Sequence, residues 1–216
     1  MTYVAQHAND DGVLEREAEV LLAAVEQTGQ TEQHTLTLRL VAGIAPSLLR
    51  VTTANIGRQV MQYAVQAARA LADYKEIVCW LDELGLMHYY LGEYAPARRA
   101  WEEAAAIAEQ KGAFTHALGN LASLASEQGE YAYAMRLSER QRVYYHAAGA
   151  LFSLAFTGVE AASFARRYGD EQRAWAELSA AKHLLILGPS GSLAFLDALR
   201  PPGEQCCGAH PLVLGL

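Results

Sequence analysis

Two short stretches of the sequence contain residue types that could do chemistry. Residues 188–192, Gly-Pro-Ser-Gly-Ser, have the composition of a phosphate-binding loop, but they lack its Lys and follow a helical pattern instead of a strand. Cys206, Cys207 and His210 could supply part of a zinc site, yet adjacent cysteines are awkward ligands and no second Cys/His pair completes four. We therefore interpret the first stretch as a helix C-terminus and the second as a tail that binds no metal.

Carboxylates are the other candidates for chemistry. Glu15, Glu17 and Glu19, and the pair Glu102 and Glu103, fall on helix faces that we expect to meet solvent. No spacing pairs any of them with a nucleophile or with a second acid, as acid–base catalysis requires. The sequence therefore predicts no catalytic, cofactor-binding or metal-binding residue, and we expect a protein that is not an enzyme.

Composition and charge argue against several other classes of protein. With 216 residues, 52% of them hydrophobic, the chain can fold around a substantial core. Its formal net charge of −7 argues against a nucleic-acid-binding surface, which needs clustered cations. No apolar run is long enough to span a bilayer, and the first residues do not resemble a secretory signal. We expect a cytoplasmic protein that contacts neither nucleic acid nor membrane directly.

The elements that position any functional residue are predicted to be helices. Proline is almost absent before residue 188, and Val, Ile and Thr do not alternate with polar residues over any convincing length. Apolar residues instead recur at helical spacing, for example at Leu14, Ala18, Leu21 and Val25. The sequence predicts about nine helices and no sheet, which is an all-α fold.

Three turns in the sequence have matching surroundings. Gly92, Gly129 and Gly169 are each followed by an acidic residue, and they are spaced 37 and then 40 residues apart. A small residue stands at the same distance after each turn, at Ala97, Ala134 and Ala174. A fixed period of this size, with a helix on each side of every turn, indicates a repeat protein of the solenoid class.

One copy is specific enough to suggest a family. Residues 78–112 contain Leu84-Gly85 in the first helix, and Ala97, Trp101 and Ala104 in the second. This pattern resembles a tetratricopeptide repeat (TPR). The resemblance implies a right-handed superhelical solenoid of antiparallel helix pairs, with small residues where two helices approach closely.

The other copies match the TPR pattern less well. Units that begin near residues 115 and 150 keep the turn and the small residues but lose the large aromatic residue, and a degenerate unit near residues 35–73 is suggested by helix lengths. The best copy itself departs from the pattern at His88, where the family has an aromatic residue. That position faces the partner helix in this type of repeat, so we expect His88 to be packed and not to be a ligand.

The N-terminal residues carry a second resemblance. Residues 3–7 (Tyr-Val-Ala-Gln-His), Asp10-Asp11 and the Leu-rich residues 14–25 are similar to a segment that leads into the repeats of STAND-type signalling ATPases and related bacterial transcriptional regulators. The chain lacks the Gly-x-x-x-x-Gly-Lys-Ser/Thr motif of the ATPase. The resemblance therefore implies the repeat-bearing C-terminal portion of such a regulator.

The end of the predicted repeat region has an apolar edge. No polar capping helix follows the last repeat, so the region around Leu185 would be exposed. We expect residues 192–199 to fold back over this edge, or the chain to form a homo-oligomer through it. The predicted parts of the chain are an N-terminal helical lead-in (1–30), a TPR-like solenoid of about four helix pairs (31–190), and a short helix with a flexible tail (191–216).

The predicted binding surface is the concave face of the solenoid, which the first helix of each unit would line. Aromatic, amide and guanidinium groups there suit an extended peptide through stacking, main-chain hydrogen bonds and an acidic anchor. An equally open alternative is that the tyrosines only pack and the arginines are only solvated. The predicted partner-binding residues are Asp82, Leu86, Tyr89, Tyr90, His116, Asn120, Ser123, Glu127, Glu160, Arg166 and Arg167.

These expectations favour a non-enzymatic scaffold that binds a protein or peptide, in signalling or transcriptional regulation. An alternative from another class is a helical domain that senses a small-molecule or nucleotide effector, because similar regulators hold effectors among their repeats. The two hypotheses differ in what the chain binds, and neither requires a cofactor.

Overall fold

The computed structural model describes residues 11–51 and 54–187, and every regular element in these two stretches is an α-helix. This confirms the all-α prediction for the described residues, including the expected number of helices. None of these helices is both long and apolar enough to cross a membrane. The helices are α1 (Asp11–Gln30), α2 (His34–Val51), α3 (Ala54–Ala70), α4 (Tyr74–Tyr90), α5 (Tyr94–Lys111), α6 (Ala117–Glu127), α7 (Tyr131–Ala147), α8 (Leu151–Tyr168) and α9 (Glu171–Leu187).

One backbone conformation recurs in the turns between these helices. Seven described turns contain a residue in the left-handed region, with φ between 53° and 92°. In the turn from α4 to α5, the Gly92 N–H donates to the Tyr89 carbonyl and the Glu93 N–H donates to the His88 carbonyl. This is the Schellman pattern of helix termination, and both bonds recur at all seven turns. Glycine holds the left-handed position at five of the turns, whereas Glu32 and Ala72 hold it at two.

The described helices form two compact units. The first unit contains α1 to α5 and ends at Thr115, and the second contains α6 to α9 and begins at His116. Within each unit every helix packs against its neighbours in sequence, and α1 also packs against α3. This sequential packing of neighbouring helices is consistent with a helical repeat.

Small residues bring α4 and α5 close together in the first unit. A Cβ atom added to Gly85 would lie 2.3 Å from Nε1 of Trp101, so only glycine fits there. Trp101 is fully buried and donates its Nε1–H to the carbonyl of Asp82 at 3.1 Å. Ala97 and Ala104 are fully buried in the same helix. The Leu-Gly and Trp positions of the TPR-like copy therefore pack against each other.

In the second unit, small residues also allow neighbouring helices to approach closely, but the side chains that they contact differ. A Cβ atom on Gly119 would lie 2.8 Å from Nε2 of Gln141, and that amide donates to the Tyr145 hydroxyl at 3.2 Å. Gly158 lets α8 approach α9, because its added Cβ would lie 3.3 Å from the Cβ of Ala181. The weaker copies thus keep small residues at their helix contacts although they lack a buried Trp.

Ion pairs join helices that are two apart in the chain. Within the first unit they join α3 to α5, and within the second they join α7 to α9. The partners are 34 or 35 residues apart in sequence in both units. The pairs are Arg69–Glu103 (2.5 Å), Arg142–Glu177 (2.7 Å) and Arg173–Glu139.

Candidate functional surfaces

The structure separates the predicted binding residues of α4 into buried and exposed ones. Asp82 is buried, and its Oδ2 accepts a hydrogen bond from Thr115 Oγ1 at 2.9 Å. Leu86 and Tyr89 are half-buried, and the Tyr89 ring lies 6.2 Å from the Trp101 ring between their centroids. Tyr90 is 59% exposed. Tyr90 is therefore the member of this group that is most accessible to a partner.

The predicted residues of α6 and its N-cap are mostly enclosed. Asn120 and Ser123 are buried, and His116 is half-buried. Desolvation lowers the pKa of His116 to about 4, so the imidazole is neutral at physiological pH. Glu127 at the end of the helix is exposed.

The predicted residues of α8 lie nearer to solvent. Glu160 is half-buried, and desolvation raises the pKa of its carboxyl to about 7. Arg166 and Arg167 are exposed. Arg166 Nε lies 3.8 Å from Glu171 Oε1, while Arg167 Nη1 donates to Ser126 Oγ at 3.4 Å. Both guanidinium groups retain surface that a partner can reach, because both residues are exposed.

His88 takes part in a polar contact between helices. Its Nδ1 lies 2.5 Å from Glu93 Oε2, and Glu93 Oε1 lies 3.4 Å from Arg58 Nη1. These side chains come from α4, the turn that follows it, and α3. The packing role expected for His88 agrees with this geometry, since its side chain is only 12% exposed.

Glu83 is a buried acid that the sequence analysis overlooked. It is only 1% exposed, and neither carboxyl oxygen has a hydrogen-bond partner among the described residues. Desolvation, and secondarily the charge of Asp82, raises its pKa to about 7. Trp80, Glu83 and Met87 follow at i, i+3 and i+7, which is the spacing of a buried helix face. That spacing is the signal that could have identified it.

An open groove runs between α8 and α9 in the second unit. It encloses about 240 Å³ and is mainly apolar, with one guanidinium group and one carboxylate at its side. Trp175, which the sequence analysis did not single out, is 69% exposed at this groove. We call this space the α8–α9 groove; its lining residues are Val159, Ala162, Ser163, Arg166, Glu171, Ala174, Trp175 and Leu178.

The exposed apolar side chains of α9 continue beyond the groove. Trp175, Leu178 and Leu185 are all exposed and are spaced at i, i+3 and i+10, so they share one face of the helix. We call these three residues the α9 stripe. The apolar edge expected around Leu185 is thus present, whereas the residues expected to cover it, 192–199, lie outside the described part of the chain.

The remaining candidate sites are located as follows. Among the described residues, no group of three His, Cys, Asp or Glu side chains could hold a metal ion. Residues 188–192, the Cys206–His210 stretch and the N-terminal residues 3–7 lie outside the described residues. A second open space in the first unit, of about 300 Å³, lies at the turn between α1 and α2 and is lined by Glu32, Gln33, His34, Thr35, Leu36 and Leu71.

Comparison with known proteins gives a distant structural likeness. No family model and no curated protein matches the chain. Among solved structures, the chain is similar to the crystal structure of BtubC (BKLC) from P. vanneervenii, with 14% sequence identity and a TM-score of 0.38 over 81% of this chain and 94% of that chain. A TM-score of this size is too low to assign a shared fold.

Proposed function

We propose that this chain is a TPR-like helical scaffold that binds a protein or peptide partner and catalyses no reaction. The observation that supports it best is the set of ion pairs between alternate helices, whose partners are 34 or 35 residues apart in both units. The helices that these pairs join begin 40 residues apart in both units, so the same helix-pair spacing recurs, although it is longer than the 34 residues of a standard TPR. Helix pairs repeated in this way form right-handed superhelical solenoids with long binding faces, and we propose that arrangement here.

The partner contacts of this scaffold are proposed to come from the exposed members of the predicted surface. Tyr90 offers a large, rigid side chain for stacking, and Arg166 and Arg167 can bind carboxylates with two parallel hydrogen bonds. The Glu127 carboxylate can accept hydrogen bonds from the main-chain N–H groups of a peptide. The N-terminal resemblance to regulators further suggests that the scaffold acts in signalling or transcriptional regulation.

Affinity capture tests this proposal. The immobilised chain is incubated with native lysate, and captured proteins are identified by mass spectrometry. The Arg166→Glu/Arg167→Glu variant should lose partners that the original chain retains, because the acidic anchor of the partner would meet two negative charges. The control is Lys75→Glu/Arg99→Glu, which reverses two exposed charges in the first unit and should retain the partners. Retention of every partner by both variants, with unchanged helicity, would contradict the proposal.

The alternative function is the sensing of a small molecule or nucleotide, and the α8–α9 groove is the observation in its favour. Its volume of about 240 Å³ falls below the roughly 300–1,000 Å³ of typical ligand pockets, which is why we favour the protein scaffold. A thermal-shift screen of nucleotides and metabolites separates the two hypotheses. A ligand at 100 times its Kd would stabilise the chain by about 2.7 kcal/mol, whereas a pure protein scaffold would show no such shift.

A further inference from the structure

We propose that the α9 stripe and the adjoining α8–α9 groove dock an acidic amphipathic helix of a partner protein. This inference rests on the scaffold function proposed above and adds the class of partner. The surface lies outside the predicted set of binding residues except for Arg166. Three features of the described residues support it: exposed apolar side chains, an open groove beside them, and the sign of the nearby charge.

The apolar part of the surface matches the contact face of one helix. The α9 stripe runs from residue 175 to residue 185, which is about 15 Å at 1.5 Å per residue. An amphipathic helix presents apolar residues at i, i+3 or i+4, and i+7, which span about 10 Å and so fit within this length. Ala162 and Ala174 are buried and small, so the floor of the groove stays open for an inserted side chain beside Trp175.

The charge beside the stripe selects an acidic partner over a basic one. Lys182 lies between Leu178 and Leu185 on α9, is exposed, and makes no ion pair with a described residue. Arg166 stands at the other end of the groove beside Glu171, which also lines the groove and lies 3.8 Å away, so these two charges largely offset each other. The remaining acid of α9, Glu177, is already held by Arg142 at 2.7 Å. Lys182 therefore leaves one uncompensated positive charge at the stripe, although the chain as a whole carries −7.

Tryptophan fluorescence provides a direct readout of this surface. The chain contains three Trp residues. Trp80 and Trp101 are fully buried, and Trp175 is 69% exposed. Acrylamide therefore quenches mainly Trp175, and a helix docked on the stripe should shield it and shift its emission to shorter wavelength.

The probe is a synthetic 14-residue amphipathic peptide with Leu at helical spacing and Glu on its polar face. A matched peptide carries Lys in place of every Glu. We expect the acidic peptide to shield Trp175 and to bind at least tenfold more tightly than the basic one. Lys182→Glu should weaken binding of the acidic peptide by about fivefold, because one exposed attraction becomes a repulsion. Lys75→Glu, the same change on an exposed residue of the other unit, should leave the affinity unchanged.

Several results would overturn the inference. Equal binding of both peptides would show unspecific apolar adhesion. Absence of binding, with Trp175 already shielded from acrylamide, would mean that another part of the chain or a second copy of it covers the stripe. If another part of the chain covers the stripe, truncation after residue 190 exposes Trp175. If a second copy covers it, dilution exposes Trp175. Absence of binding with Trp175 accessible would leave the surface without its proposed partner. If the acidic peptide does not bind while Arg167→Glu, a change at a residue that does not line the groove, still abolishes capture from lysate, the scaffold function stands and this inference fails.

Discussion

Replacement of Glu83 by Gln should abolish a pH dependence of stability that the buried acid produces. Glu83 is 1% exposed, and its pKa is raised from 4.5 to about 7, mainly by desolvation and secondarily by the charge of Asp82. Between these two pH values the folded chain holds a proton that the unfolded chain has lost. The favourable contribution is fully present below pH 4.5 and is lost as the pH rises through about 7.

The size of the effect follows from the shift in pKa. A shift of one unit corresponds to about 1.36 kcal/mol, so the change from 4.5 to about 7 corresponds to about 3 kcal/mol. Gln has the shape of the protonated acid and cannot ionise. The free energy of unfolding of Glu83→Gln, relative to the original chain, should therefore rise by about 3 kcal/mol between pH 4.5 and pH 8.

Urea unfolding at a series of pH values measures this difference. Trp80 and Trp101 are both fully buried in the first unit, so their fluorescence reports on the unit that contains Glu83. Titration of His116 and Glu160 affects the variant and the original protein equally, so it cancels when their free energies of unfolding are compared. Glu102→Gln, which makes the same replacement at an exposed acid of α5, is the matched control for the loss of one carboxylate. A Glu83→Gln difference that stays constant from pH 4.5 to pH 8 would refute the reasoning.

Four further substitutions test the turns, the helix packing and one ion pair. Ala72→Gly should stabilise the chain by about 1 kcal/mol in thermal unfolding, because Ala72 holds a left-handed φ of 53°. Gly92→Ala should destabilise the chain by a similar amount, because Gly92 has a φ of 73°. Changes of equal sign in the two variants would contradict this reasoning. Gly85→Ala should cost about 2–3 kcal/mol, since its Cβ would lie 2.3 Å from Trp101, and an unchanged unfolding midpoint would rule out that contact. Arg69→Ala should cost less than about 1 kcal/mol in urea unfolding, because it breaks an ion pair with half-exposed side chains; a loss above 2 kcal/mol would show a larger role.

Part of the functional surface could be predicted from the sequence and part could not. Tyr90, Arg166 and Arg167 are exposed, as a binding role requires. Asp82, Asn120 and Ser123 share helix faces with exposed residues but are themselves buried. Carrying one repeat register over to the others places a residue on a helix face, but it does not show whether another segment covers that face. Thr115 illustrates this, since it lies 33 residues from its hydrogen-bond partner Asp82.

Local sequence patterns were sufficient to predict the helices and the turns between them. Apolar spacing predicted helices, and the glycines at residues 92, 129 and 169 predicted turns that adopt left-handed conformations. The resemblance to a TPR implied that small residues lie where two helices approach closely, and Gly85 does lie against the Trp101 indole. These features depend on residues within one helix or one helix pair, so the order of the amino acids contains the required information.

Tertiary packing decided how completely Glu83 is desolvated, which charges pair and which side chains are exposed at the edge. Glu is a residue type usually found at the surface, but Glu83 lies inside the first unit, where desolvation raises the pKa of its carboxyl to about 7. Trp is a residue type that is usually largely buried, but Trp175 is 69% exposed. Arg69 meets Glu103 across 34 residues of chain. Each of these outcomes depends on which distant segment packs against a given helix face, and helical periodicity carries no information about that segment.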